Sequence, residues 1–214
     1  MDTTQTQANA STRVPLRAVA LVCTLSPSPA PSSSQLLAEQ TMAALADHGV
    51  SGKVIRVVDH DVKPGISTDL GDGDAWPEIR DHVLGADILV ISTPIWLGHP
   101  SSVAQKVMER LNAELSEQDD QGRPLMYGKV AAVCVVGNED GAHKVSADIF
   151  QGLNDIGFSL APGAVTYWVG EAMQKTDYLD LDSTPKSTAE TTVALAANVS
   201  HLARRLKDAP YPAP

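Results

Sequence analysis

The 214-residue sequence predicts a three-layer α/β domain: a doubly wound, five-stranded parallel sheet in the order 2-1-3-4-5 with helices on both faces. Two observations carry that prediction. Four runs are nearly continuous in apolar and β-branched residues, without the in-out alternation of a half-solvated sheet, as strands covered on both faces require. Segments of helical period separate these runs, so strand and helix alternate five times along the chain, and right-handed crossovers then fix how the sheet winds.

The first strand is AVALVCT, residues 18–24. An uncharged Ser/Pro loop from Ser26 to Ser34 follows, and a helix starts near Ser33 with Leu37, Thr41 and Leu45 beside Ala38 and Met42 on one stripe. The second strand is KVIRVV, residues 53–58. A short helix over 76–85 turns Ile79 and Val83 inward, and the third strand is ADILVIST, residues 86–93. Val103, Val107 and Leu111 mark the next helix, ahead of the fourth strand KVAAVCVV at 129–136. Val145, Ile149, Leu153 and Ile156 mark the helix after it. A fifth strand lies within 158–169, interrupted by Pro162 and Gly163, and Leu195, Val199, Leu202 and Leu206 form the last stripe. These elements make one domain over 17–207, flanked by an expected disordered tail at 1–16 and a Pro-rich tail at 208–214, with no internal repeat.

Hydrophobic residues at 43% and charged residues at 20% are ordinary for a globular protein able to bury a sizeable core. The 26 acidic residues outnumber the 16 basic ones for a net charge of −10, a surface that repels phosphate backbones and anionic lipid. Nucleic acid and membrane are therefore not expected partners. The first residues lack the apolar centre of a secretory leader, which points to the cytoplasm. Cys23 and Cys134 sit in separate apolar runs and read as buried, reduced thiols. The six histidines show no ligand spacing, and neither a G-x-S-x-G nor an H-E-x-x-H motif occurs, so no metal and no catalytic triad is expected.

In a doubly wound sheet the ligand sits beyond the carboxyl ends of the strands where the winding reverses, here between strands one and three. The loops after Thr24, Thr93 and Val136 meet there. The first offers serine hydroxyls and a helix N-terminus, which suit a phosphate monoester without any Lys or Arg. It has neither the Walker lysine nor the G-x-G-x-x-G glycines. The second, STPIWLGHPSS, turns at Thr93-Pro94 and Gly98 and sets Ile95, Trp96 and Leu97 in a row, as a flat apolar ligand would use them. The third, VVGNEDGAHKV, brackets polar residues with Gly137 and Gly141, which allow close backbone approach, and its Asn138 both donates and accepts, as a pyrimidine-like edge requires. Asp140 reads as the cap of the helix that follows.

A phosphate cradle, an apolar wall and a polar ring-edge binder together resemble the flavodoxin-like NAD(P)H-dependent FMN reductase and quinone reductase family. SPSPAPSS from Ser26 is similar to its phosphate loop, STPIWLGHPSS to its flavin-ring loop and VGNEDGAH to its second ring loop, within a likeness spanning roughly residues 17 to 206. The resemblance implies noncovalent FMN, NAD(P)H as co-substrate, a small-molecule acceptor such as a quinone or free flavin, and a homodimer or homotetramer. It implies a ping-pong exchange with the chemistry on the flavin and no catalytic side chain. Ser26, Ser28, Ser32, Ser33 and Ser34 would then serve the phosphate. Thr93, Pro94, Ile95, Trp96, Leu97 and Gly98 would serve the ring, with backbone N–H groups of 95–98 on one edge and Trp96 as wall. Gly137, Asn138, Gly141 and His143 would serve the pyrimidine side. Members of the group often carry Arg at the third position of the phosphate loop, where this chain has Ser28; Pro27, Pro29 and Pro31 lack N–H groups, so binding rests mainly on Ser26, Ser32, Ser33 and Ser34. Two other readings keep the same fold: a flavodoxin-type electron carrier, and a flavin-free phospho-acceptor or interaction module, against which stand Thr24 and Thr93, where a receiver domain would place Asp.

Overall fold

Both faces of the central sheet are covered, which is why its strands read as continuous apolar runs. The protein is described by a computed structural model over residues 15–172 and 174–213. The expected N-terminal tail therefore lies, but for its last two residues, outside the described residues, as do Met173 and Pro214.

Strands β1 (Leu16–Val22), β2 (Val50–Arg56), β3 (Ile88–Trp96), β5 (Val130–Gly137) and β6 (Ser159–Val169) form the sheet, and the two-residue β4 (His99–Pro100) folds back on the end of β3. The parallel order is β2-β1-β3-β5-β6. With β4 set aside, that is the expected 2-1-3-4-5. Helices α1 (Ser33–Asp47) and α5 (Lys186–Asp208) cover one face; α2 (Trp76–Leu84), α3 (Ser102–Leu111) and α4 (Ala142–Asp155) cover the other. Neighbouring strand residues serve opposite layers: Leu89, Ile91 and Val133 pack on the α2–α4 side, Val90, Ala132 and Cys134 on the α1–α5 side.

Three boundaries differ from expectation. β2 begins three residues before the apolar run and gives way to a 3₁₀ turn at Val57–Asp59. It is an edge strand paired only with β1, so backbone pairing rather than apolarity sets its start. β3 continues past Thr93 to Trp96 because β5 pairs with it as far as Pro94 and β4 pairs with its last two residues. β6 is one strand despite Pro162 and Gly163, which form a bulge on an edge strand that tolerates a missing donor.

Cys23 and Cys134 are free and fully buried. Burial pushes the Cys134 thiol up to about 12 against a partly offsetting contact with Thr41. It pushes Cys23 up as well, so neither supplies a thiolate at neutral pH.

Candidate functional site

At the carboxyl ends of β1, β3, β5 and β6 lies a crevice of about 260 Å³. A larger hollow of about 430 Å³ runs along the flank between α3 and α4, away from the strand ends. The crevice sits at the winding reversal, where this fold concentrates helix N-termini and glycine turns, and is the chemically equipped one. The three loops converge on it as expected.

Ser26, Ser32, Ser33 and Ser34 line it. Ser32 is the N-cap of α1, accepting from the Gln35 N–H at 3.3 Å. The N–H groups of Ser33 and Ser34 make no hydrogen bond among the described residues, so the first turn of α1 presents two free donors and the positive end of its dipole. The Ser33 hydroxyl accepts from Leu179 N–H at 3.4 Å, and the Ser34 carbonyl accepts from Ser92 Oγ at 2.7 Å, fixing the turn to β3. Ser28 is elsewhere: its N–H and hydroxyl both donate to Asp59, at 2.7 and 2.6 Å. These bonds hold the Asp59 carboxyl below its usual range.

Sequence reading asked for no cation here, yet the structure brings one. Arg56, at the end of β2, donates from Nε to Gln35 Oε1 at 2.7 Å and from Nη1 to the carbonyls of Ala30 at 2.7 Å and Ser26 at 3.3 Å. Nothing local in IRVV marks this residue; only the pairing of β2 beside β1 carries it behind the loop.

The second loop is a tight hairpin. Trp96 pairs with His99 across Leu97 and Gly98, whose φ angles of 52° and 72° are both left-handed, as the two central positions of a type I′ turn demand. Leucine there is strained, and its side chain is 89% exposed. Pro94, Ile95 and Trp96 line the crevice. Thr93 is buried beneath, accepting from Ser101 N–H at 3.1 Å, and Leu97 N–H donates to Glu139 Oε1 at 2.8 Å, so it is already taken. Leu97 and Gly98 do not line the crevice.

Gly137 and Asn138 line it from the third loop. A side chain at Gly137 would strike Ile95 at 3.0 Å, and one at Gly141, where φ is 126°, would meet the Gly98 backbone at 3.1 Å, so glycine at both lets the loops touch. Gly141, not Asp140, is the N-cap of α4; the Asp140 carboxylate instead accepts the Gly141 N–H at 2.7 Å. His143 does not line the crevice; its ring meets the Tyr167 ring edge-on at 5.3 Å.

A fourth segment completes the wall. Trp168 packs against Tyr178, ring centroids 5.6 Å apart, and both line the crevice with Asp177 and Leu179. Tyr178 is anchored by its hydroxyl donating to Gln40 Oε1 at 2.6 Å, and Asn138 Nδ2 reaches Gln174 O at 3.1 Å. Sequence reading missed Tyr178; aromatics in WVGEAMQKTDYLD were its only signal.

A family model described as NADPH-dependent FMN reductase matches residues 16–174. The chain belongs to that family. FMN is the family's flavin, and NAD(P)H its electron donor. The FMN reductase-family chain is 34% identical over 206 residues to the 8-demethyl-8-aminoriboflavin-5'-phosphate synthase of Streptomyces davaonensis, covering 92% of itself and 80% of that protein. It is 36% identical over 199 residues to a divalent metal cation transporter MntH of Mycobacterium bovis, but spans only 29% of its length. Its fold matches the structure of RosB with bound 8-demethyl-8-formylriboflavin-5'-phosphate at a TM-score of 0.83 and 34% identity, covering 92% of this chain and 82% of that one. An archaeal flavodoxin, 12% identical with a TM-score of 0.58 over 88% of this chain and 99% of its own, shares the flavodoxin-like fold alone.

Proposed function

We propose that the protein is an oxidoreductase that takes electrons from NAD(P)H and passes them to a small acceptor, with FMN in the strand-end crevice. One observation carries the reading: the free Ser33 and Ser34 amides and the walls from Trp96 and Trp168 converge on one crevice of about 260 Å³. FMN, when bound, supplies the hydride-accepting and electron-donating chemistry. The protein's share is to bind, orient and exclude water. The first turn of α1, with Ser26 and Ser32 to Ser34, would hold the phosphate; Ile95, Trp96 and Trp168 would wall the ring; Asn138 and Gly137 would meet its polar edge. NAD(P)H and then a quinone or free flavin would take turns at the open side, beside half-exposed Trp96, which is the ping-pong order.

A second reading rests on the 34% relative named for riboflavin-phosphate chemistry and on the RosB structure, whose ligand is a riboflavin phosphate altered at position 8. In it the same crevice takes FMN as substrate. The third, a flavodoxin-type carrier, shares the crevice but needs a protein partner.

The test is to titrate FMN into the wild type and into a Ser33→Ala/Ser34→Ala double variant. Two neutral hydrogen bonds are at stake, so FMN should weaken about 5-fold to 150-fold. Unchanged affinity in a folded variant rejects the two hydroxyls as phosphate ligands, since alanine keeps both backbone amides. NAD(P)H consumed with a quinone and flavin recovered at unchanged mass supports the reductase; a changed flavin mass supports the second reading; no NAD(P)H oxidation without a partner protein supports the carrier.

A further inference from the structure

The crevice wall carries no cation. Among its lining residues the only charged side chain is Asp177, and the whole chain stands at −10. A phosphate monoester is close to a dianion at neutral pH, and two backbone amides with a helix dipole answer only part of that charge. A cation is bonded to the same loop. The Arg56 guanidinium grips the carbonyls of Ala30 and Ser26, the latter itself a crevice residue, and has no carboxylate within ion-pair distance among the described residues. Asp59, within electrostatic reach of it, is turned onto Ser28 instead.

We propose that Arg56 is the specificity-determining cation of this site, selecting a phosphorylated flavin over its unphosphorylated counterpart. It acts in two ways. Its Nη1 engages the carbonyls of Ala30 and of Ser26, a crevice residue, so a cation already answers the negative ends of the loop carbonyls. Its charge, half-buried and without a carboxylate partner among the described residues, then acts across the loop on the crevice. The second contact, from Nε to Gln35 Oε1 at 2.7 Å, ties the guanidinium to the first turn of α1, so the cation and the free amides of Ser33 and Ser34 are held as one unit. Arg56 is a positioning residue, not a ligand.

This inference rests on the crevice being the FMN site, and the experiment separates the two. FMN and riboflavin are titrated into wild type, Arg56→Lys and Arg56→Gln at low and high salt, with thermal unfolding to confirm that each variant is folded. Wild type should prefer FMN. Arg56→Gln should lose about 10-fold to 100-fold in FMN affinity and less than about 3-fold for riboflavin, with a flatter salt dependence. Arg56→Lys, which keeps the charge but not the fork, should recover part of the preference. Equal losses for both ligands, or a lysine variant no better than the glutamine one in FMN preference, overturn the proposal and leave the crevice assignment standing. Wild type that binds neither flavin overturns both.

Discussion

Trp96 and Trp168 both face the crevice, but their surroundings assign them different energetic roles. Trp96 is 55% exposed at a hairpin edge, whereas Trp168 is part-buried against Tyr178 and covers Gly170, where a Cβ would meet its ring at 2.7 Å. Trp96→Ala should leave the melting temperature unchanged and weaken FMN about 2-fold to 12-fold, the worth of one aromatic contact. Trp168→Ala should lower both, because its ring also holds the segment that carries Tyr178. Titration of FMN beside a thermal melt checks the pair; a large loss of stability in Trp96→Ala would mean that its ring packs inward. Trp96 was legible as a wall from its place just after a strand end. The direction of Trp168 was not, because across the bulge at Pro162–Gly163 the register advances five positions along β6, Leu160 to Val165, for two along β5, Ala131 to Val133, an odd offset that swaps which face later residues serve.

Among the elements, the stretch from His60 to Ala75 is a long connection with no regular structure, and a buried ion pair gives it shape. Arg110, on α3 and fully buried, donates to the carbonyls of Lys63 and Ser67 and to Asp74 Oδ2 at 2.7 Å, with its guanidinium 5.6 Å from the Trp76 ring centre. Burial pushes the Asp74 carboxyl up, but Arg110 and the backbone N–H groups of Trp76, Lys63 and Leu70 outweigh it and hold it at about 2, below its ordinary 3.8. A depressed carboxyl stabilises the fold fully above the unfolded value and loses that contribution as pH falls through the folded one. Stability should therefore decline as pH drops from 3.8 toward about 2, and Asp74→Asn should flatten that part of the profile. Denaturant unfolding at stepped pH checks it, and identical acid profiles for both proteins would exclude Asp74 as the titrating group. Removing one partner alone strands a buried charge, so Arg110→Met should destabilise by about 3 to 5 kcal/mol.

Across the whole molecule, Leu97 at the hairpin tip is the most exposed large apolar side chain among the described residues. Leu97 is 89% exposed beside Trp96, whereas Tyr167 and Trp168 are occupied by His143 and Tyr178. We expect self-association through the crevice-side loops, giving a light-scattering mass of two or four times the 22.6 kDa chain at micromolar concentration. Leu97→Asp should shift that mass toward the single chain, and a wild type already at 22.6 kDa rules the expectation out. No described helix is long and apolar enough to cross a membrane.

Periodicity and strand-end position by themselves determined the layers, the strand order and the crevice, because burial on both faces leaves continuous apolar strands and the winding reversal then has one location. The apolar stripe after the Ser/Pro loop put the start of α1 near Ser33, where it lies. Only the tertiary structure decided which loop groups remain free for a ligand. Ser28 turns to Asp59, the Leu97 N–H goes to Glu139, and Arg56 and Tyr178 arrive from segments 30 and 138 residues away from groups they hold, the Ser26 carbonyl and the Gln40 side chain. Hydrogen bonds are satisfied by whatever the fold brings within about 3 Å, and sequence spacing carries no record of such long-range neighbours.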